Sequence, residues 1–414
     1  MFERGKHSVC RGFVEVLKYF KHKEHKEESQ RTQSNMNKVK SIFWLVGEKS
    51  GDLHSAKVME KLNRDMPNIE HIGIGGAFMQ KQGLQPLLPF ERFQIMGFLE
   101  VLKHIPFILQ AESAIKRYLK KNKPDLVILV DYPGLNLRIA KIAHGLQLKV
   151  LYFICPQFWA WKHHRIHLLK KYCSHVACIF PFEKTKLNEY GIKSTYVGHP
   201  VTEAISFKLD KNEFAKQFDL DLNKKWISFF PGSRDVEISK LLPVYIETIK
   251  KLKVLKPDYQ FLISKTYTVS LKLFMSHFTN QEDIRIIDGY NYEMMKYSDF
   301  LIVKSGTTTI EAASIETPFV IVYKVNKLSY LLAKKLVRIK YIGLPNIVFD
   351  DGIVPELIQD DFNPDKIIET MLSYLDNEEK YKDITSRLKD LHTMLGDASA
   401  SEGVAEVISV ECRV

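Results

Sequence analysis

Residues 126–130, Leu-Val-Ile-Leu-Val, form an unbroken apolar run that ends in Asp131, Tyr132, Pro133 and Gly134. A strand apolar at every position must be covered on both faces, the situation of a central strand in a parallel sheet. Parallel neighbours need long crossovers, and a helical pattern duly follows from near Leu135 to Gly145, with Pro133 and Gly134 read as a break. The motif of apolar run, turn and helix recurs along the chain. Strands are expected at 42–46, 69–74 and 148–154, then a strand, helix and strand up to Val197. After Gly198-His199-Pro200 the pattern resumes with strands at 226–230, 259–263, 284–287, 300–303 and 318–323. Two successive halves of this kind predict an α/β protein with two Rossmann-like, doubly wound domains facing across a cleft. The expected divisions are a basic, disordered extension at 1–38, a first domain at 39–200 and a second at 201–414 with closing C-terminal helices.

In such sheets ligands sit outside the carboxyl ends of the strands. Asp131 occupies such an end, although an Asp after a strand reads equally as a helix cap. The turn Gly47-Glu48-Lys49-Ser50-Gly51-Asp52 follows the first strand but lacks the spacing of a phosphate-binding P-loop. The Gly73–Phe78 stretch lacks the third glycine of a dinucleotide fingerprint. In the second half, Gly232-Ser233-Arg234 and Ser305-Gly306-Thr307 each lie between a strand and a helix, where backbone N–H groups and the helix dipole favour anions. Arg234 adds a fork of donors suited to a diphosphate. Glu311, about one turn into the following helix, is placed to accept both hydroxyls of a ribose. Together these describe a nucleotide-diphosphate site, with Asp131 facing it from the first half. Trp159 and Trp161 lie in another strand-end loop, a plausible ligand platform.

Composition narrows the alternatives. The 414 residues are 45% apolar and 26% charged, ordinary for a globular enzyme. Five cysteines, at 10, 155, 173, 178 and 412, form no disulfide framework, which suits a reducing compartment. No zinc spacing is complete: His163 and His167 lack an acidic partner, and residues 162–171 read as a solvated basic helix. The net charge of +11 comes without a dense basic block interleaved with aromatics, so nucleic acid is not the expected partner. An anionic membrane face or a phosphorylated substrate suits it better. No apolar run approaches the roughly 18 residues of a membrane span. Residues 21–40 are polar, and Met36 would be a natural start for a domain opening on a strand.

Several stretches, in consistent order from about residue 41 to 390, carry a family resemblance. They are the 47–52 turn, MGFLEVL (96–102), PQFWAW (156–161), FPFEK (180–184), GHP (198–200), PGSR (231–234), SGTTTIEA (305–312) and LPN (344–346). This set resembles the lipid-A-disaccharide synthases, glycosyltransferases of GT-B architecture. The resemblance implies joining of UDP-2,3-diacylglucosamine to 2,3-diacylglucosamine 1-phosphate, with inversion, releasing UDP. It implies Asp131 as general base and Arg234 with the 305–307 turn as stabilisers of the leaving group. Glu48 and Asp52 are further candidates for acid–base or acceptor-binding work. Gly232, Ser233, Arg234, Ser305, Gly306, Thr307, Glu311 and Asn346 are then expected at the donor, and Asp52, Gln157, Trp159 and Trp161 at the acceptor. No cofactor or metal is expected. Three positions depart from the family pattern: Gly134 replaces a usual Asp, while Lys49 and Lys304 replace small residues (or Thr at 49).

Two rival readings stay open on the residues alone. Another UDP-sugar enzyme of this architecture would share the second-half features but not PQFWAW with MGFLEVL. A non-enzymatic basic membrane-associated protein would leave the PGSR, SGT and Glu311 arrangement idle. Acylated substrates imply a cytoplasmic enzyme held peripherally at the inner membrane, with homo-oligomerisation left open. The apolar stretch 90–109 reads either as core or as a wall for an acyl chain. Residues 327–341 read as an interfacial helix, with Lys334 and Arg338 on its basic face.

Overall fold

Both halves of the chain fold as wholly parallel sheets, in a computed structural model that describes residues 41–93, 98–160, 162–266, 269–278, 284–326, 330, 340–396 and 398–412. The first sheet comprises β1 (Ser41–Val46), β2 (Glu70–Ile74), β3 (Gln85–Pro86), β4 (Leu126–Val130), β5 (Lys149–Phe153), β6 (His175–Cys178) and β7 (Ser194–Tyr196). Their order is β3-β2-β1-β4-β5-β6-β7. The second comprises β8 (Lys225–Phe230), β9 (Tyr259–Lys265), β10 (Ile284–Asp288), β11 (Phe300–Lys304), β12 (Phe319–Tyr323) and β13 (Glu356–Ile358), in the order β10-β9-β8-β11-β12-β13. Each sheet therefore reverses its winding once, between β1 and β4 and between β8 and β11. A crevice opens outside the strand ends at each reversal.

The central strands match the apolar runs because burial on two faces disfavours polar groups without partners: every residue of β4 is buried, and the buried Ser228 of β8 is paired with the Ser298 hydroxyl at 2.7 Å. The two strands not foreseen, β3 and β13, are short edge strands, where no such demand exists. Pro133 and Gly134 are not a break: they begin the helix Pro133–Gly145, where proline's missing N–H costs nothing. The 90–109 stretch divides its faces. Phe90, Phe93 and Phe107 are buried, and the Arg92 guanidinium lies 4.0 Å from the Phe107 ring centre. Ile105 and Leu109, on the helix Phe98–Asn122, are 45% and 50% exposed.

The last helix, Ala400–Cys412, buries Val404, Ala405, Val407 and Ile408 in the core of the first sheet, against the helix Lys49–Asp65. The chain thus returns to the first half after completing the second. Gly198 marks the crossing. Its φ is +92°, and a Cβ there would meet the Ala398 carbonyl oxygen at 2.2 Å, so only glycine fits. Glu203 caps the returning segment by accepting the Ser401 N–H at 3.0 Å, and Lys57 donates to the Glu203 carbonyl at 2.8 Å.

Candidate active site

At the first reversal, Val46 and Val130 are register neighbours, so Gly47 and Asp131 leave the sheet side by side. A Cβ on Gly47 would lie 2.3 Å from the Tyr132 ring, so the glycine lets the two turns pack together. Asp131 and Tyr132 both adopt left-handed backbone, at φ +46° and +45°. That conformation costs a non-glycine residue roughly 1–2 kcal/mol and needs surrounding bonds to hold it. Here the Asp131 N–H donates to Phe153 at 3.0 Å. Its carbonyl accepts from Asn136 Nδ2 and from the Tyr152 hydroxyl, each at 2.6 Å. The buried Asn136 amide also reaches the Val130 carbonyl, tying the helix start to β4.

Burial, reinforced by the nearby Glu48 charge, pushes the Asp131 carboxyl up to about 7, against the opposing pull of the Tyr132 N–H and Arg165. A carboxylate tuned near neutral pH is matched to proton abstraction from a hydroxyl. Asn136→Ala removes the clamp and leaves buried carbonyls unpaired. It is expected to cost about 1–3 kcal/mol of stability and to lower turnover while sparing nucleotide affinity in the second half. A denaturation curve and a UDP titration check both parts.

The remaining first-half candidates separate. Glu48 stands at the start of the helix Lys49–Asp65, partly buried and close enough to act on Asp131. Asp52 points inward instead. It is buried and accepts the N–H groups of Gly76, Phe78 and Met79 at 2.8, 3.2 and 3.1 Å, so it is the cap of the next helix rather than an exposed acceptor contact. Gln157 is exposed. Trp159 is no free platform: its indole N–H donates to Glu183 Oε1 at 3.0 Å and its ring meets Phe182 edge-on. Trp161 and most of 327–341 lie outside the described residues. A side chain at Gly134 would meet nothing within 4 Å, so the first turn beside Asp131 stands open.

Two polar groups here escaped the sequence reading. Arg165, expected on a solvated basic face, is 6% exposed, and its charge acts on Asp131 and Tyr152. Glu183 is buried, accepts the N–H groups of Ile179 and Phe180 at 3.2 Å, and is pushed up to about 7 by burial. Glu183 stands three residues after Phe180 and reaches back to the helix-start N–H groups, but Phe180 has no side-chain oxygen to complete a capping box, so the sequence carried no such signature.

At the second reversal, Gly232 has φ +104°, and a Cβ on it would strike Glu237 Oε2 at 2.2 Å. Glu237, also unforeseen, organises the loop: it accepts the Ser233 N–H at 3.0 Å and pairs with Arg234 at 3.3 Å and Lys304 at 2.7 Å. The Arg234 side chain remains 48% exposed. Across the crevice, the Ser305 hydroxyl holds the Ile342 carbonyl at 3.0 Å, Gly306 begins the turn at φ +152°, and Thr307 is exposed at the start of the helix Thr307–Ser314. Glu311 accepts from the Tyr292 hydroxyl at 3.3 Å, and burial raises its carboxyl pKa. Asn346 is fully enclosed. Its amide bonds the Val354 carbonyl and Glu356 at 2.8 Å each and accepts the Val354 N–H at 2.9 Å, so the expected donor contact gives way to a loop-holding role.

One crevice thus holds a buried carboxyl raised to about 7, and the other a cationic pair of strand-to-helix turns. A sequence model described as lipid-A-disaccharide synthetase matches residues 42–407. The lipid-A-disaccharide synthase of Coxiella burnetii (strain CbuK_Q154) is 36% identical over 369 residues, covering 89% of this chain and 98% of its own. Lipid-A-disaccharide synthase 1 of Legionella pneumophila (strain Lens) is 34% identical over 369 residues, covering 89% and 96%. Among solved structures, the UDP-GlcNAc 2-epimerase from Neisseria meningitidis bound to UDP-GlcNAc is similar at TM-score 0.60 and 14% identity, over 89% of this chain and 99% of its own. The glycotransferase of kitacinnamycin is similar at TM-score 0.63 and 10% identity, over 91% and 100%. These distant structural likenesses establish the fold, the GT-B pairing of two Rossmann-like halves.

Proposed function

The chain belongs to the lipid-A-disaccharide synthase family, and on that premise we propose how its residues carry the reaction. The protein is a glycosyltransferase of lipid A biosynthesis, joining UDP-2,3-diacylglucosamine to 2,3-diacylglucosamine 1-phosphate. An α-linked donor giving a β product requires one in-line displacement. In it the acceptor 6-hydroxyl loses its proton to the Asp131 carboxylate as its oxygen attacks the sugar's anomeric carbon. The bond to the diphosphate breaks, and UDP departs with the electron pair. Arg234 and the N–H groups opening the helix Thr307–Ser314 stabilise the charge growing on that leaving group. Glu311 accepts from the ribose hydroxyls. Glu48 keeps the Asp131 carboxyl basic through its charge.

The observation that carries this reading is that Asp131 and the PGSR and SGT turns all emerge at the two sheet reversals. Incubating the protein with both diacylglucosamine substrates and seeking the disaccharide 1-phosphate by mass spectrometry tests it. Absence of product with both substrates present would overturn it.

We further infer peripheral work at the cytoplasmic face of the inner membrane. Both substrates carry acyl chains, Ile105 and Leu109 present apolar surface on the helix Phe98–Asn122, and the net charge is +11. Among the described residues no helix is long and apolar enough to cross a membrane. The protein is expected to bind anionic liposomes, less so at high salt, and Ile105→Asp with Leu109→Asp is expected to weaken that binding further in a flotation assay. Unchanged flotation of the double variant would remove this face from the contact.

A further inference from the structure

We propose that Lys304 supplies a second cation, beside Arg234, to the diphosphate of the nucleotide donor; this rests on the donor site being the second crevice. Lys304 ends β11, whose Val303 is the register neighbour of Phe230 on β8, so it emerges directly beside the PGSR loop. Its side chain is only 19% exposed. The ammonium lies 2.7 Å from Glu237 Oε1, and a Cβ at Gly306 would come within 3.5 Å of the same nitrogen. The charge therefore stands between the two anion-binding turns rather than out in solvent.

Glu237 accounts for only part of that charge. Its Oε1 faces both Lys304 and Arg234, while its Oε2 accepts the Ser233 N–H. Two cations converge on one carboxylate, and Asp235, the other acid in the first turn of the helix after the PGSR loop, is turned to the Ser270 N–H instead, so the cations are in excess where two helices open their N–H groups. A diphosphate carries the negative charge to match that surplus and the length to touch both turns. An ammonium has three N–H donors, so Lys304 keeps its Glu237 bond while donating another to a phosphate oxygen. Glu237 thus holds the loop and both cations in the arrangement the diphosphate meets.

Calorimetric titration with uridine, UMP and UDP tests the assignment. Lys304→Met is expected to weaken UDP binding about tenfold or more, the loss of one charge-assisted hydrogen bond. It should weaken UMP less and leave uridine unchanged, and Lys304→Arg should recover part of the UDP affinity. Should Lys304→Met melt early, the double variant Lys304→Met with Glu237→Gln removes the carboxylate charge that has lost its lysine partner, and the same ligand series, read against Glu237→Gln alone, decides. Equal weakening of all three ligands would make the lysine a loop support only, and unchanged UDP affinity would mean it meets no phosphate. Either result overturns the proposal while the donor site stands. A wild-type protein that binds no UDP would overturn the donor site and this proposal with it.

Discussion

Asp131→Asn is expected to lower turnover by about 10²–10⁴-fold, the contribution of a general base, while UDP affinity stays at the wild-type level. The substitution keeps the side chain's shape and the backbone clamp from Asn136 and Tyr152, which bind the Asp131 carbonyl and not its carboxylate. The pH profile carries a second signature. The carboxyl is raised to about 7, so the base is protonated below that pH and kcat/KM should fall on the acid side. Glu48→Gln removes a charge that raises this pKa, so the acid limb should move to lower pH. Stability runs the other way. Between 3.8 and about 7 the folded state keeps a proton that the unfolded chain releases, so stability falls as pH rises through that window. Asp131→Asn should therefore be slowed as stated yet at least as stable as wild type at pH 8. A variant within a few-fold of wild-type turnover would remove Asp131 from the mechanism.

Arg234→Ala is expected to weaken UDP binding about 10–100-fold, the range for hydrogen bonds to a charged group, and to lower kcat as well. The variant is informative because Glu237 retains its bonds to Ser233 and Lys304, so the loop keeps its anchor when the guanidinium goes. Arg234→Lys should recover only part of the loss, since a point charge lacks the guanidinium's fork of donors. Excess EDTA should change neither affinity nor rate. Strict dependence on added magnesium would show that the leaving group is stabilised by other means.

What the chain's order of residues determined by itself was the layered plan and the strand-end chemistry. Strands covered on both faces are apolar almost throughout, so β1, β4, β8 and β11 stand out as short runs broken at most by one small hydroxyl (Ser228 in β8), and the residues just beyond them are candidates by position alone. Asp131, the PGSR turn and the SGT turn were legible for that reason. What only the tertiary structure decided was which polar groups turn inward and whom they meet. Asp52 and Asn346 carry the same side-chain chemistry as ligand-binding residues, but their partners are groups brought close by folding: backbone N–H groups for Asp52, the Val354 backbone and the Glu356 carboxylate for Asn346. Arg165 lies in a stretch as basic as any surface helix, yet packing carries it toward Asp131. Glu237 and Lys304 belong to different strand–helix units and become a pair only when β8 and β11 lie side by side. The last helix follows the second half in sequence, yet its apolar face finds its cover on the first sheet. Periodicity reports whether a residue is buried; the identity of its partner depends on contacts between distant segments, and no local pattern encodes those.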